Sequence, residues 1–190
     1  MNPPEQFRQQ APVPLPPRPI HLPTAFETTL SNGLTVVIVA DKRLPLVSYR
    51  LGFRAGDAHD PSELPGLTDL LTGLLTEGTA SRASREIADQ VARMGATLSA
   101  GANSDYTTVA ASSLTTFKDE ILDLLADVTL HPSFPPSEVD LIKENTKESL
   151  RQQREQPSFL ASEMVSRIVF GKHPYSVIAP TVESLEATTR

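Results

Sequence analysis

The order of apolar patterns in this 190-residue chain predicts an α+β fold, in which helices cover one face of a largely antiparallel sheet. Two β-prone runs flank Asn32-Gly33, the strongest short-range signal for a hairpin. From Pro65 the apolar spacing becomes helical, and a later pair of strands is followed by three helices. Strands and helices that come in separate runs are typical of an α+β layer.

The predicted strands are short and rich in threonine and valine. The first two lie in "AFETTLSNGLTVVIVAD", and a third is predicted over residues 46–55, before Gly56 and a polar loop. Two more are predicted at 96–105 and 106–114. Together they predict a hairpin, a single strand and a strand pair.

The first predicted helix begins at Pro65 in "PGLTDLLTGLLTEGTASR". Its leucines recur at helical spacing and should face a core, and Gly78 is a plausible end for the helix. The stripe consists of Leu67, Leu70, Leu71, Leu74 and Leu75.

The later helices carry their own apolar faces and start signals. A second helix over 84–95 should turn Ile87, Val91 and Met94 inward, and a helix in "SFLASEMVSRIVFGK" should bury Leu160, Met164 and Ile168 before ending at Gly171. Two helices between them have capping-box spacing at their predicted starts, Thr116 with Asp119 and Ser137 with Asp140.

Composition limits the partners and the domain count. A formal charge of −6 and a pI near 5.2 argue against nucleic acid or an anionic membrane, which require clustered Lys and Arg. No apolar run reaches the roughly 18 to 20 residues needed to span a bilayer. Zero cysteines exclude disulfides and thiol chemistry but do not indicate a compartment.

The ends of the chain predict the domain limits. Residues 1–24 are rich in proline and predict an extended arm, interpreted as a ligand for a partner or as the tether left after removal of an export signal. In the second case the protein would be periplasmic or exported. Residues 25–190 are predicted to form one domain that is truncated before its last strand, because "TVESLEATTR" predicts a short polar helix there.

The residues alone do not form a catalytic constellation. The histidines His21, His59, His131 and His173 do not share a helical face or the spacing of zinc ligands. The chain lacks a G-x-S-x-G elbow and a P-loop lysine. Glu63 with Asp69 is only a weak candidate for a pair of carboxylates, because the chain has 23 acidic residues.

Several segments in order resemble the N-terminal half of the pitrilysin, insulinase and mitochondrial processing peptidase family of zinc metallopeptidases. They are "LSNGLTVVIVAD", "FRAGDAHDPSELPGLTDLLTGLLTEGT", "GANSDYTT" and "FGKHPYS", and the resemblance covers roughly residues 25–190. Those enzymes carry the inverted zinc motif H-x-x-E-H in G-[LT]-A-H-F-L-E-H-M-L-F-x-G-T, on a helix. Gly66 and Leu67 match its start, and Gly78 and Thr79 match its end.

The zinc motif itself is replaced at every functional position. The two histidine positions hold Asp69 and Gly73, and the position of the general-base glutamate holds Thr72. The third ligand, a glutamate about 76 residues beyond the second histidine, falls at Ser149. One carboxylate gives little zinc selectivity, a hydroxyl is no base near neutral pH, and Gly73 costs about 1 kcal/mol relative to alanine in a helix. The resemblance therefore implies neither catalytic residues nor bound zinc.

The resemblance also implies an architecture and a role. It implies the first of two homologous domains of a subunit, with a mixed, mainly antiparallel sheet. It further implies the non-catalytic subunit of a heterodimeric peptidase, which closes a chamber and helps hold unstructured peptides beside a catalytically intact homologous subunit. Two alternatives stay open: a scaffold or assembly protein without a peptide substrate, and an active zinc endopeptidase with displaced ligands. A neighbouring gene for an intact homologue would favour the heterodimer over the scaffold.

Overall fold

The computed structural model describes residue 15 and residues 23–190, which form two compact units that divide between Leu44 and Pro45. Most of the predicted arm at 1–24, including His21, lies outside the described residues. The bounds predicted for the arm and for the domain therefore stay a prediction. Within the described ranges, none of the helices combines the length and apolarity needed to cross a membrane.

The first unit contains the predicted hairpin. Strands β1 (Ala25–Thr29) and β2 (Thr35–Val39) pair antiparallel, with Thr29 opposite Thr35. The turn needs a glycine, since Gly33 has a φ of +86° and its N–H donates to the Leu30 carbonyl at 2.9 Å. The Asn32-Gly33 signal is thus confirmed.

The second unit contains a three-stranded antiparallel sheet. Strands β3 (Leu46–Phe53), β4 (Thr97–Ala102) and β5 (Thr107–Leu114) lie in the order β3-β5-β4. Residue 110 of the central strand β5 pairs with residue 50 on one side and residue 99 on the other. Pairing is antiparallel for every strand in the part of the chain that the structure describes.

Six α-helices follow the strands or separate them within the described residues. Their bounds are α1 Leu67–Leu74, α2 Ser84–Arg93, α3 Lys118–Leu130, α4 Pro136–Arg154, α5 Pro157–Phe170 and α6 Val182–Ala187. Short 3-10 turns occur at Asp57–His59, Thr115–Phe117 and Pro174–Ser176.

The core lies between the sheet and the helices α2 and α3. Val109 and Ala111 of β5 pack in one buried cluster with Ile87 of α2. Met94 belongs to the same cluster, and Val91 packs against it. Helix α3 contributes Ile121, Leu124, Leu125 and Val128. The inward face predicted for α2 is correct, and the predicted α+β class with helices on one face is confirmed.

One residue of the α1 stripe and the apolar face of α5 are predicted wrongly. Leu70, Leu74 and Leu75 are buried as predicted, but Leu71 is 41% exposed although it lies three residues before Leu74, on the same side of α1. On α5, Met164 is 58% and Ile168 is 74% exposed, and Leu160 is exposed as well. Within residues 45–190 no element covers that side of α5, so periodicity alone did not lead to burial.

Both predicted capping boxes are also wrong. The 3-10 turn at Thr115–Phe117 leads into α3, which leaves Phe117 at the cap without a side-chain hydrogen bond. Helix α4 begins at Pro136, because proline fits the first helical position, so Ser137 lies inside the helix. Helix α1 ends at Leu74, before the predicted stop at Gly78.

Candidate functional site

The start of α1 is held by the side chain of Asp60. Its two carboxylate oxygens accept the backbone N–H groups of Gly66 at 2.9 Å and Thr68 at 3.1 Å. Gly66 has a φ of +88°, and a Cβ there would lie 2.7 Å from the Cβ of Pro180. The glycine that opens the motif is therefore required by backbone conformation and by packing.

The segment before α1 is anchored on the turn between β4 and β5. The Asp57 N–H donates to the Asn103 carbonyl at 3.1 Å, and the Ala58 N–H donates to the Ser104 carbonyl at 3.1 Å. A Cβ on Gly56 would lie 1.9 Å from the Asn103 oxygen, so only glycine permits this approach. The anchoring places two carboxylates, Asp57 and Asp60, beside the first turn of α1.

Asp69 occupies the first predicted ligand position, in the first turn of α1. The residue is exposed overall, yet partial burial of its carboxyl raises its pKa above the usual value. The charges of Asp57 and Asp60 raise the pKa further. Three carboxylates, those of Asp57, Asp60 and Asp69, therefore share this corner of the site.

Thr72, at the predicted general-base position, is enclosed. Its side chain is 5% exposed, and its hydroxyl donates to the Asp69 carbonyl at 3.0 Å. A threonine hydroxyl used in this way has its proton committed to the helix backbone and cannot deprotonate a water.

Gly73, at the second predicted histidine position, is where α1 and α4 come close. A Cβ on Gly73 would lie 2.4 Å from Cδ1 of Ile142, a distance that real contacts do not show. From the sequence alone, loss of a ligand is the one interpretation of this glycine. The structure supplies one, because its missing side chain makes room for Ile142.

Ser149, at the predicted third-ligand position, lies on α4, the helix that packs against α1. Its side chain is exposed and its Oγ accepts a hydrogen bond from Gln153 Nε2 at 3.3 Å. The fold thus brings the helix of the third ligand to the helix of the motif, as the resemblance implies, but presents a hydroxyl there.

These residues do not fit zinc. The four positions offer one carboxylate, a hydroxyl bonded to its own helix, a hydrogen atom and an exposed serine, whereas zinc sites are built from imidazole, thiolate and carboxylate ligands. In the part of the chain that the structure describes, no three His, Cys, Asp or Glu side chains are grouped so that they could hold a metal ion. The described histidines His59, His131 and His173 take part in no such group.

A cleft of about 210 Å³ opens beside Asp69. Asp57, Asp60 and Asp69 line one part of it, and His173 and Pro180 line another. Glu63 is not among the lining residues and accepts a hydrogen bond from its neighbour Ser62 at 2.6 Å. The structure therefore groups Asp69 with Asp57 and Asp60, and not with Glu63 as the sequence had suggested.

The segment that lines the other side of this cleft is the one that the sequence matched to the family only as "FGKHPYS". Tyr175 stacks edge-on against Phe170 at 5.6 Å and His173 at 4.5 Å between ring centroids. Its hydroxyl donates to Asp105 in the β4–β5 turn. This hydrogen bond, together with the Asp105 charge, raises the pKa of Tyr175. A spacing of 70 residues between the partners gave no local signal for the contact.

Comparison with known proteins identifies relatives of β2 and of most of the second unit. Residues 35–180 match the family described as Insulinase (Peptidase family M16). An uncharacterized zinc protease of Bacillus subtilis is 26% identical over 145 residues, which are 76% of this chain and 36% of that protein. Mitochondrial-processing peptidase subunit alpha of Solanum tuberosum is 27% identical over 161 residues, 85% of this chain and 30% of that protein.

A solved structure shows the same fold. The crystal structure of a peptidase M16 inactive domain from Pseudomonas fluorescens superimposes with a TM-score of 0.83 at 28% identity, covering 87% of this chain and 40% of that one. This chain thus spans well under half the length of the relatives it matches. With residues 35–180 matched, the resemblance inferred from the sequence is confirmed, and the chain belongs to the insulinase family of peptidases.

Proposed function

We propose that the protein is a non-catalytic subunit of a heterodimeric peptidase, in which it closes a chamber and helps hold peptide substrate for a catalytically intact homologous subunit. The observation that carries the proposal is the contrast within one helix pair. The packing of α1 on α4 is kept, whereas all four positions of the zinc chemistry hold residues that cannot perform it.

The contacts that hold the start of α1 support the proposal. The Asp60 carboxylate accepts backbone N–H groups at the start of α1. Close packing leaves no room for a side chain at Gly56 or Gly66. A fold that keeps such constraints without a ligand set serves through its shape. Within this family, a shape that encloses a chamber together with a second homologous half is the use that the resemblance implies.

Two relatives support the proposal. The Pseudomonas structure is described as an inactive domain, and the Solanum relative is named as a subunit of a processing peptidase. Neither name carries a substrate or a partner over to this chain. They agree with a family in which inactive domains and subunit pairs occur.

Co-expression tests the partnership. The full-length parent would be produced with a homologue that carries H-x-x-E-H, followed by co-purification and an assay of cleavage of an unstructured peptide. We expect the two to co-purify and the partner to cleave faster in the complex than alone. If they do not co-purify and the partner cleaves equally well alone, the function is that of a scaffold or assembly protein.

Metal analysis tests the remaining alternative, an active zinc endopeptidase. The chain would be purified without a histidine tag and dialysed against zinc. A formed zinc site would hold about one zinc per chain, and we expect this chain to hold far less. Asp69→Ala provides the matched control. Stoichiometric zinc that is lost in Asp69→Ala would contradict the proposal, because it would mean that displaced ligands hold the metal.

A further inference from the structure

The contact between Gly73 and Ile142 shows that the second ligand position is filled from outside its own helix. A Cβ added to Gly73 would meet Cδ1 of Ile142 at 2.4 Å and its Cγ1 at 3.8 Å. Ile142 lies on α4, on a helix that is otherwise mostly polar, and is half-buried against α1.

We propose that Ile142 is a plug: it occupies the space that a ligating side chain at position 73 would need, so the zinc site is closed as well as stripped of its ligands. An imidazole at position 73 would have to project beyond the Cβ, and the Cβ already overlaps the end of Ile142. The inference concerns metal binding alone, so a failed co-purification would leave it standing.

The end of Ile142 is the group that must move, because its Cγ1 already lies at an ordinary contact distance from the added Cβ. Because isoleucine branches at Cβ, its χ1 is held close to one rotamer in a helix, and only rotation about χ2 can move Cδ1. Relief of the overlap therefore requires Ile142 to change its χ2 rotamer or α1 and α4 to move further apart.

The neighbouring base position is equally closed. Thr72 is 5% exposed, so a glutamate placed there would bury a carboxylate in a space that now holds a small hydroxyl. A buried carboxylate without partners favours its neutral form, which cannot act as a base. Restoring the motif residues therefore recreates the ligand list without the room it needs.

Zinc binding tests the plug directly. Three variants of the 190-residue chain would be dialysed against zinc chloride and their metal content measured, without any activity assay. The first carries Asp69→His, Thr72→Glu, Gly73→His and Ser149→Glu. The second adds Ile142→Ala. A third, with Leu141→Ala in place of Ile142→Ala, is the matched control, because Leu141 is the exposed neighbour on α4.

We expect the first and third variants to bind no more zinc than the unaltered chain, and the second to bind about one zinc per chain. Its affinity should exceed that of the first variant by about tenfold or more. If the first variant already binds zinc as tightly as the second, the plug is refuted. Absence of zinc from all three variants also refutes it, because Ile142 would then not be the obstacle.

A cycle of smaller changes tests the same contact without metal, in case the larger variants fail to fold. Gly73→Ala should lower the thermal midpoint in the unaltered chain and raise it by about 2 to 4 °C in the Ile142→Ala background, where alanine only improves the helix. In the Leu141→Ala background it should again lower the midpoint. A Gly73→Ala substitution that stabilises the unaltered chain would overturn the proposal.

Discussion

Helices α3 and α5 have similar lengths and similar apolar spacing, yet the protein uses them in opposite ways. Leu124 of α3 is fully buried against the sheet, whereas Ile168 of α5 is 74% exposed. Helix α3 packs against the central strand β5, and α5 contacts the end of α4 and the segment after it. Apolar residues at helical spacing therefore predict a helix with one apolar and one polar face. How deeply the apolar face is buried depends on whether a strand of the sheet lies opposite it.

Shortening a side chain on the buried helix should have the largest effect. Leu124→Ala is expected to lower the free energy of unfolding by about 3 kcal/mol, because it removes apolar contacts and leaves a cavity at a site with no exposure. Urea unfolding followed by circular dichroism measures the loss. Leu122→Ala on the exposed side of the same helix is the control and should change it by less than about 1 kcal/mol. Equal losses for the two variants would mean that α3 is not packed as described.

The polar end of α3 should give the next largest effect. Asp127 accepts hydrogen bonds from Thr79 Oγ1 at 2.7 Å and from Arg82, which ties α3 to the loop after α1. Burial raises the pKa of Asp127, but these hydrogen bonds outweigh it and leave the pKa below its usual value. Asp127→Asn should therefore cost about 2 kcal/mol at neutral pH.

The pH dependence of that loss follows from the sign of the pKa shift. A lowered pKa in the folded state means that the ionised Asp127 adds stability above its unfolded pKa, and that this stability is lost as the pH falls through its folded pKa. The difference between the unaltered chain and Asp127→Asn should thus shrink on acidification below about pH 4. Glu163→Gln on α5 is the matched control, since Glu163 pairs with the exposed Arg167 and should cost less than about 1 kcal/mol. A loss that does not change with pH would contradict the role assigned to the charge.

The exposed face of α5 should give the smallest effect. Met164→Ala and Ile168→Ala are each expected to change the free energy of unfolding by no more than about 0.5 kcal/mol, because both side chains already contact water. The measurement is the same urea titration. A loss above about 2 kcal/mol for either variant would show that this face is covered in solution.

Part of the fold could be predicted from local patterns. Asn32-Gly33 predicted its hairpin because the turn requires a positive φ that glycine adopts without strain, and Gly33 has it. The spacing of Ile87 and Met94 predicted the inward face of α2. The capping boxes failed because their residues were judged by spacing alone, while Pro136 and the turn before α3 determine where those helices begin.

The candidate site also has features that the sequence predicts and features that only the structure reveals. The predicted replacement of the ligands at Asp69, Gly73 and Ser149, and of the general base at Thr72, depends on the order of residues alone, since a motif at fixed spacing needs no coordinates. The role of Ile142 cannot be predicted in this way, because it lies 69 positions beyond Gly73 and meets it only where two helices cross. A single isoleucine in a mostly polar helix was the one available signal, and it indicated burial without indicating a partner.

The sequence by itself determined the secondary elements with strong periodicity and the family, and it predicted the loss of the zinc ligands, because all three depend on residue type and spacing along the chain. Only the tertiary structure decided that Leu71 and the α5 face are exposed, that Asp57 and Asp60 converge on Asp69, and that Ile142 fills the space beside Gly73. The physical reason is that burial and steric exclusion depend on distances between residues far apart in the chain, and those distances exist only after the helices have packed on one another and on the sheet.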